Sequence, residues 1–144
     1  LIGKWMNKTK RDKLAKLIRD EKKELIKESI KAQKLAKAQY SKFYVGAALL
    51  SKENKIIYGC NIESKAFPST MCAERVAIYS AISRGITKFQ ALAIVSKIGA
   101  KPCGPCRQII HEYLGDIPIY VSDGKNIDKY ETHYIKDLLP LPFG

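Results

Sequence analysis

Cys72-Ala73-Glu74-Arg75 and, further along, Pro102-Cys103-Gly104-Pro105-Cys106-Arg107-Gln108 place three thiols and a carboxylate at spacings that constrain both chemistry and architecture. A Zn²⁺ held by three protein ligands keeps its fourth position open for water, whereas four ligands close the site and make it structural. Cys72, Cys103 and Cys106 read as those three ligands, with one ion per chain. Water on such an ion ionises near neutral pH, and a neighbouring carboxylate can take its proton and pass it to substrate. Glu74 is the candidate catalytic residue for that transfer. It stands two residues from Cys72, and positions i and i+2 do not share a face inside a regular helix, so both reach one metal only where a helix begins. Pro105 makes the same point for the second motif, because proline is tolerated in a first helical turn. Three thiolates and one Zn²⁺ sum to −1, which opposes ionisation of the water. Two helix N-termini, each equivalent to roughly half a positive charge, offset this together with Arg75 or Arg107, of which Arg75 is preferred.

Outward from these motifs, strand and helix signals alternate. Phe43–Leu50 and Lys55–Ile62 are β-rich and separated by Ser51-Lys52-Glu53-Asn54, a hairpin pattern; Gly46 inside the first marks close backbone approach or a bulge. Ser64–Thr70 reads as a loop, and Cys72–Ser83 as a helix stopped by Gly85. Phe89–Ser96 is a buried strand, Cys103–Leu114 the second site helix, Ile117–Val121 a strand and Tyr130–Tyr134 the last one. Near the start, Glu21–Gln39 is rich in helix formers and lacks Gly and Pro, with Ile26, Ile30 and Leu35 as its packing stripe against one side of the sheet. Before it, Leu14, Leu17 and Ile18 recur at helical spacing, and Thr9 and Asp12 form a weak capping pair. Strands alternating with helices give a layered α/β fold.

The 144 residues suit one domain with its own core, and a 46% hydrophobic, 28% charged composition is ordinary for a globular protein. No apolar run approaches the about 20 residues of a membrane span, and the N-terminus lacks the apolar segment of a secretory signal. The cytoplasm is therefore the expected location, and a metal is preferred over disulfides for the four cysteines. Residues 1–40 hold 13 Lys and Arg against 5 Asp and Glu, or +8 of the formal +12. A lysine-rich helix is read as solvated surface; attraction to RNA or a membrane surface is the functional alternative. The chain starts without Met, and Met6 is a possible natural start. Cys60 is read as a free cysteine, since structural zinc sites bring their ligands in close pairs, and His111 and His133 as surface or packing residues. Cys103-x-x-Cys106 alone would also suit a redox pair, which Cys72-x-Glu74 argues against.

A ligand, x, Glu and then Pro-Cys-x-x-Cys is the pattern of zinc deaminases, and Cys72-Ala73-Glu74 with Pro102–Gln108 resembles the small single-domain cytidine deaminases. Tyr40–Leu50 resembles that family's first strand, Gly59-Cys60-Asn61-Ile62-Glu63 its ribose-binding segment, and Leu138-Leu139-Pro140 with Phe143 its C-terminus. The resemblance covers residues 21–144 as a deaminase domain, leaving 1–20 as a basic extension. It implies a three-layer α-β-α sandwich with a five-stranded mixed sheet, and deamination of cytidine and 2′-deoxycytidine to the uridines plus ammonia in pyrimidine salvage. By resemblance Phe43 stacks on the base, Asn61 and Glu63 bind the ribose 3′-hydroxyl, and Phe67 and Phe143 complete sites shared between subunits of a homotetramer. The family's loop after the acidic residue has a tyrosine where Ser64-Lys65-Ala66-Phe67 stands, so Lys65 bears on substrate range. Two alternatives remain open: a modified nucleoside such as blasticidin or a cytosine in a polynucleotide as substrate, and a non-enzymatic zinc-stabilised module.

Overall fold

The computed structural model describes residues 7–144, so Met6 lies outside the described residues. Helix α1 spans Lys8–Gln33, with the Asn7 side chain, in place of the expected Thr9, accepting from the Lys10 N–H at 2.9 Å. The single helix replaces the two segments expected, and it stops six residues before Gln39. The cause is tertiary: the Lys37 N–H donates to the Asn61 carbonyl (2.9 Å) and its carbonyl accepts from Glu63 N–H (2.8 Å), so this stretch pairs with an extended segment instead of continuing the helix. Leu35 consequently falls outside α1 and is 67% exposed, while Leu25, Ile26, Ser29 and Ala32 form the buried stripe.

Strands β1 (Val45–Ser51) and β2 (Ile56–Cys60) form the expected hairpin, and β3 (Phe89–Ser96), β4 (Ile119–Ser122) and β5 (Glu131–His133) complete a five-stranded sheet in the order β2-β1-β3-β4-β5. Among these five strands β3 and β4 pair in parallel and the other neighbours antiparallel. Helix α2 (Ala73–Ser83) links β2 to β3, and α3 (Gly104–Tyr113) makes the crossover between the parallel strands. A 3₁₀ turn over Phe67–Ser69 and a short α4 (Ile135–Leu138) were not expected from sequence.

Strand residues alternate between the two faces. Leu25 and Ile26 of α1 pack with Ala48, Ala91, Ala93, Val95 and Tyr120 on one face. Ala77, Ile78 and Ala81 of α2, with Ile110 of α3, pack with Ala47, Leu49, Leu92, Ile94 and Ile119 on the other. The result is the three-layer sandwich. A bulge where Leu50 pairs with Ala91 but Ser51 with Phe89 switches the parity and sends Phe89 into the α2 face. The helices sit close because two strand positions lack a side chain. A Cβ on Gly46 would lie 2.0 Å from the Ser29 carbonyl oxygen of α1, and one on Gly59 2.1 Å from that of Ala73 in α2. Gly46 thus marks close approach, and the bulge lies elsewhere.

Candidate active site

Both motifs open helices as their spacing requires. Cys72 is the N-cap of α2 and Cys103 that of α3, each with extended backbone, and their carbonyls accept the first helical bonds from Val76 and Arg107 (both 3.0 Å). Pro105 and Cys106 lie in the first turn of α3. The two N-termini converge, so Cys72 Sγ is 3.7 Å from Cys103 Sγ, Cys103 Sγ is 3.2 Å from Cys106 Sγ, and all three sulfurs lie within 4.8 Å of one another. Tetrahedral coordination with Zn–S of about 2.3 Å sets sulfurs about 3.8 Å apart, so the donor set fits zinc in both chemistry and spacing. Cys60 is not part of the cluster; burial pushes its thiol pKa up.

Electrostatics follow from this convergence. Hydrogen bonding to Cys106, reinforced by Arg75, pushes Cys72 down to about 5, and the shared proton correspondingly pushes Cys106 up. The Arg75 guanidinium donates to Cys72 Sγ at 3.5 Å and its pKa is raised by that contact. Arg107 behaves differently from the charge-balancing expectation. It donates to the backbone carbonyls of Pro102 (2.7 Å) and Leu138 (2.9 Å), tying the motif loop to α4. Glu74, in the first turn of α2, is 5% exposed, and burial pushes its pKa up to about 7.

A cavity of about 470 Å³ is lined by Cys72, Glu74 and Cys103 together with Phe43, Asn61, Glu63, Lys65 and Phe67. Asn61 is buried, accepting from the Val45 N–H (2.9 Å) and donating to the Phe43 carbonyl (2.7 Å). The Glu63 carboxylate accepts from the Ser41 N–H (3.0 Å) and hydroxyl (2.9 Å). Tyr40, Ser41, Thr70, Met71 and Lys101 also line the cavity and were not among the expected site residues; Tyr40 and Ser41 precede the strand they were expected to open, which starts at Val45. Phe143 lies outside the lining: its side chain is 88% exposed, and its backbone is held by Gln108.

Residues 19–121 match the model of the cytidine and deoxycytidylate deaminase zinc-binding region. The chain is 47% identical over 123 residues to a cytidine deaminase of Sporosarcina psychrophila, covering 83% of this chain and 89% of that one. A cytidine deaminase of Halalkalibacterium halodurans is 42% identical over 122 residues, with 83% and 91% covered. A crystal structure of cytidine deaminase from Burkholderia pseudomallei superposes with a TM-score of 0.77 at 34% identity, over 83% of this chain and 96% of that one. With three sulfurs spaced for zinc beside a buried glutamate that lines a cavity, and with relatives this similar over most of its length, the chain belongs to the zinc-dependent cytidine and deoxycytidylate deaminase family of hydrolases.

Proposed function

We propose that this enzyme hydrolyses the C4 amino group of cytidine and 2′-deoxycytidine, consuming water and releasing ammonia and the corresponding uridine. The observation that carries this reading is the buried Glu74 carboxylate beside three converging thiols, with Glu74 and two of the thiols, Cys72 and Cys103, lining the cavity. Cys72, Cys103 and Cys106 would hold Zn²⁺, which supplies an activated water when bound. Glu74, buried beside the thiols with its pKa raised by that burial, is placed to take a proton and return it, first to the ring N3 and then to the departing amino group. Arg75 offsets the thiolate charge. Phe43 offers a ring to the base at the cavity wall. Asn61 and Glu63 each keep hydrogen-bonding capacity beyond the contacts they make, which suits the ribose 3′-hydroxyl. Residues 21–144 form the catalytic unit, 1–20 are a basic extension, and a cytoplasmic salvage role is the setting.

Phe67, Leu141 and Phe143 are 84%, 89% and 88% exposed. Such apolar side chains suit burial in a homotetramer, where Phe143 would close a neighbour's cavity and Phe67, which lines its own chain's cavity, would be covered by the adjoining subunit. A spectrophotometric assay with cytidine, deoxycytidine, CMP and adenosine tests the substrate assignment. Turnover of the first two alone is expected, and turnover of only the nucleotide or the purine would overturn it.

A further inference from the structure

The last residue of α4 and the tail after it are pinned by two consecutive residues of α3. Arg107 donates to the Leu138 carbonyl, and Gln108 engages Phe143 twice: its Oε1 accepts from the Phe143 N–H, and its Nε2 donates to the Phe143 carbonyl, both at 3.0 Å. The side-chain amide thereby acts as a peptide group, exchanging both bonds with one backbone residue as paired strands do. Its second N–H goes to Glu112 Oε1 at 2.8 Å, one turn along α3. A carboxylate only accepts, so Glu112 fixes the amide's orientation and presents the oxygen to the Phe143 N–H. Between the two pins Leu141 is almost fully exposed, and the Phe143 side chain projects free while its backbone is held.

We infer that Gln108 is the positioning residue for the Phe143 side chain: it clamps the penultimate backbone unit to the helix that carries Cys106, setting aromatic lid and zinc ligands on one rigid element. This deepens the reading of Phe143 as a lid and rests on it. Without the clamp, the segment after Arg107's pin must be ordered on binding at the expense of backbone entropy, and that cost appears as weaker binding with little change in chemistry.

The test compares Gln108→Ala, Phe143→Ala and the double variant in the full chain, with zinc content and assembly state measured alongside. Two hydrogen bonds are lost, so KM for cytidine is expected to rise about tenfold in Gln108→Ala with kcat nearly unchanged, and the double variant should be no worse than Phe143→Ala. Hydrogen exchange in the C-terminal peptide reads the clamp directly: protection of the Phe143 amide should be lost in Gln108→Ala. Gln108→Met keeps the packing without the bonds and should behave alike, which covers failure of the alanine variant to fold. If Phe143→Ala raises KM while the Gln108 variants leave it at the wild-type value, the clamp is overturned though the lid stands. If Phe143→Ala leaves KM unchanged, the lid reading fails and the positioning role with it.

Discussion

Glu74 owes its altered acidity to burial, and that makes its role separable from the metal's. Glu74→Gln keeps shape and one hydrogen-bonding oxygen but cannot accept a proton. Zinc content and fold should therefore persist while kcat falls by about 10²- to 10⁴-fold, as measured by metal analysis and the cytidine assay on one preparation. Protonated Glu74 cannot take a proton from water, so kcat/KM should fall as pH drops through its pKa, which burial places at about 7 and the charge of a bound cation draws back towards the ordinary 4.5. An acid limb between those values is expected, and its disappearance in Glu74→Gln identifies the group. Among the cysteines, Cys72→Ala, Cys103→Ala and Cys106→Ala should each lose the metal, whereas Cys60→Ala should keep it, because Cys60 lies outside the sulfur cluster.

Gly46 and Gly59 hold the layers together from opposite faces of the sheet, and their substitution should separate stability from metal binding. Gly46→Ala drives a methyl into the α1 backbone at Ser29, and Gly59→Ala drives one into α2 at Ala73; either should cost stability at or above the upper end of the roughly 1–3 kcal/mol typical of overpacking. Only Gly59→Ala displaces the helix end that carries Cys72 and Glu74. It should therefore weaken zinc retention in a chelator competition that leaves Gly46→Ala near wild type. What was legible at this scale had a local cause. The motif spacing put Cys72 and Cys103 at helix starts, and polar residues between β-rich runs marked the hairpin. What was missed had a non-local cause. α1 ends at Gln33 because Lys37 pairs with the Asn61–Glu63 segment, a contact that no helix propensity in Lys34–Gln39 reveals. Arg107 and Gln108 were likewise legible as motif members but not as anchors of a tail thirty-odd residues away.

For the whole molecule, the distribution of exposed groups separates the N-terminal segment from the catalytic unit. Residues 8–20 of α1 are exposed apart from a half-buried Leu14, and none of them lines the cavity, so removing residues 1–20 should leave cytidine turnover intact. At the other end, the exposure of Phe143 leads to a complementation experiment. Chains carrying Phe143→Ala retain Glu74 and the sulfurs but lack the aromatic; chains carrying Glu74→Gln have the reverse defect. If each cavity is closed by a neighbour's Phe143, random mixing at equal amounts puts an intact Glu74 opposite an intact Phe143 in about a quarter of sites, as expected when subunits exchange within a closed symmetric assembly. Activity well above that of either parent should then appear at low cytidine concentration, where affinity limits the rate. A lid acting within its own chain gives no such gain, since no chain in the mixture carries both groups. Absence of recovery from demonstrably mixed tetramers, or full activity of a sedimenting monomer, would therefore place closure of the cavity within the single chain.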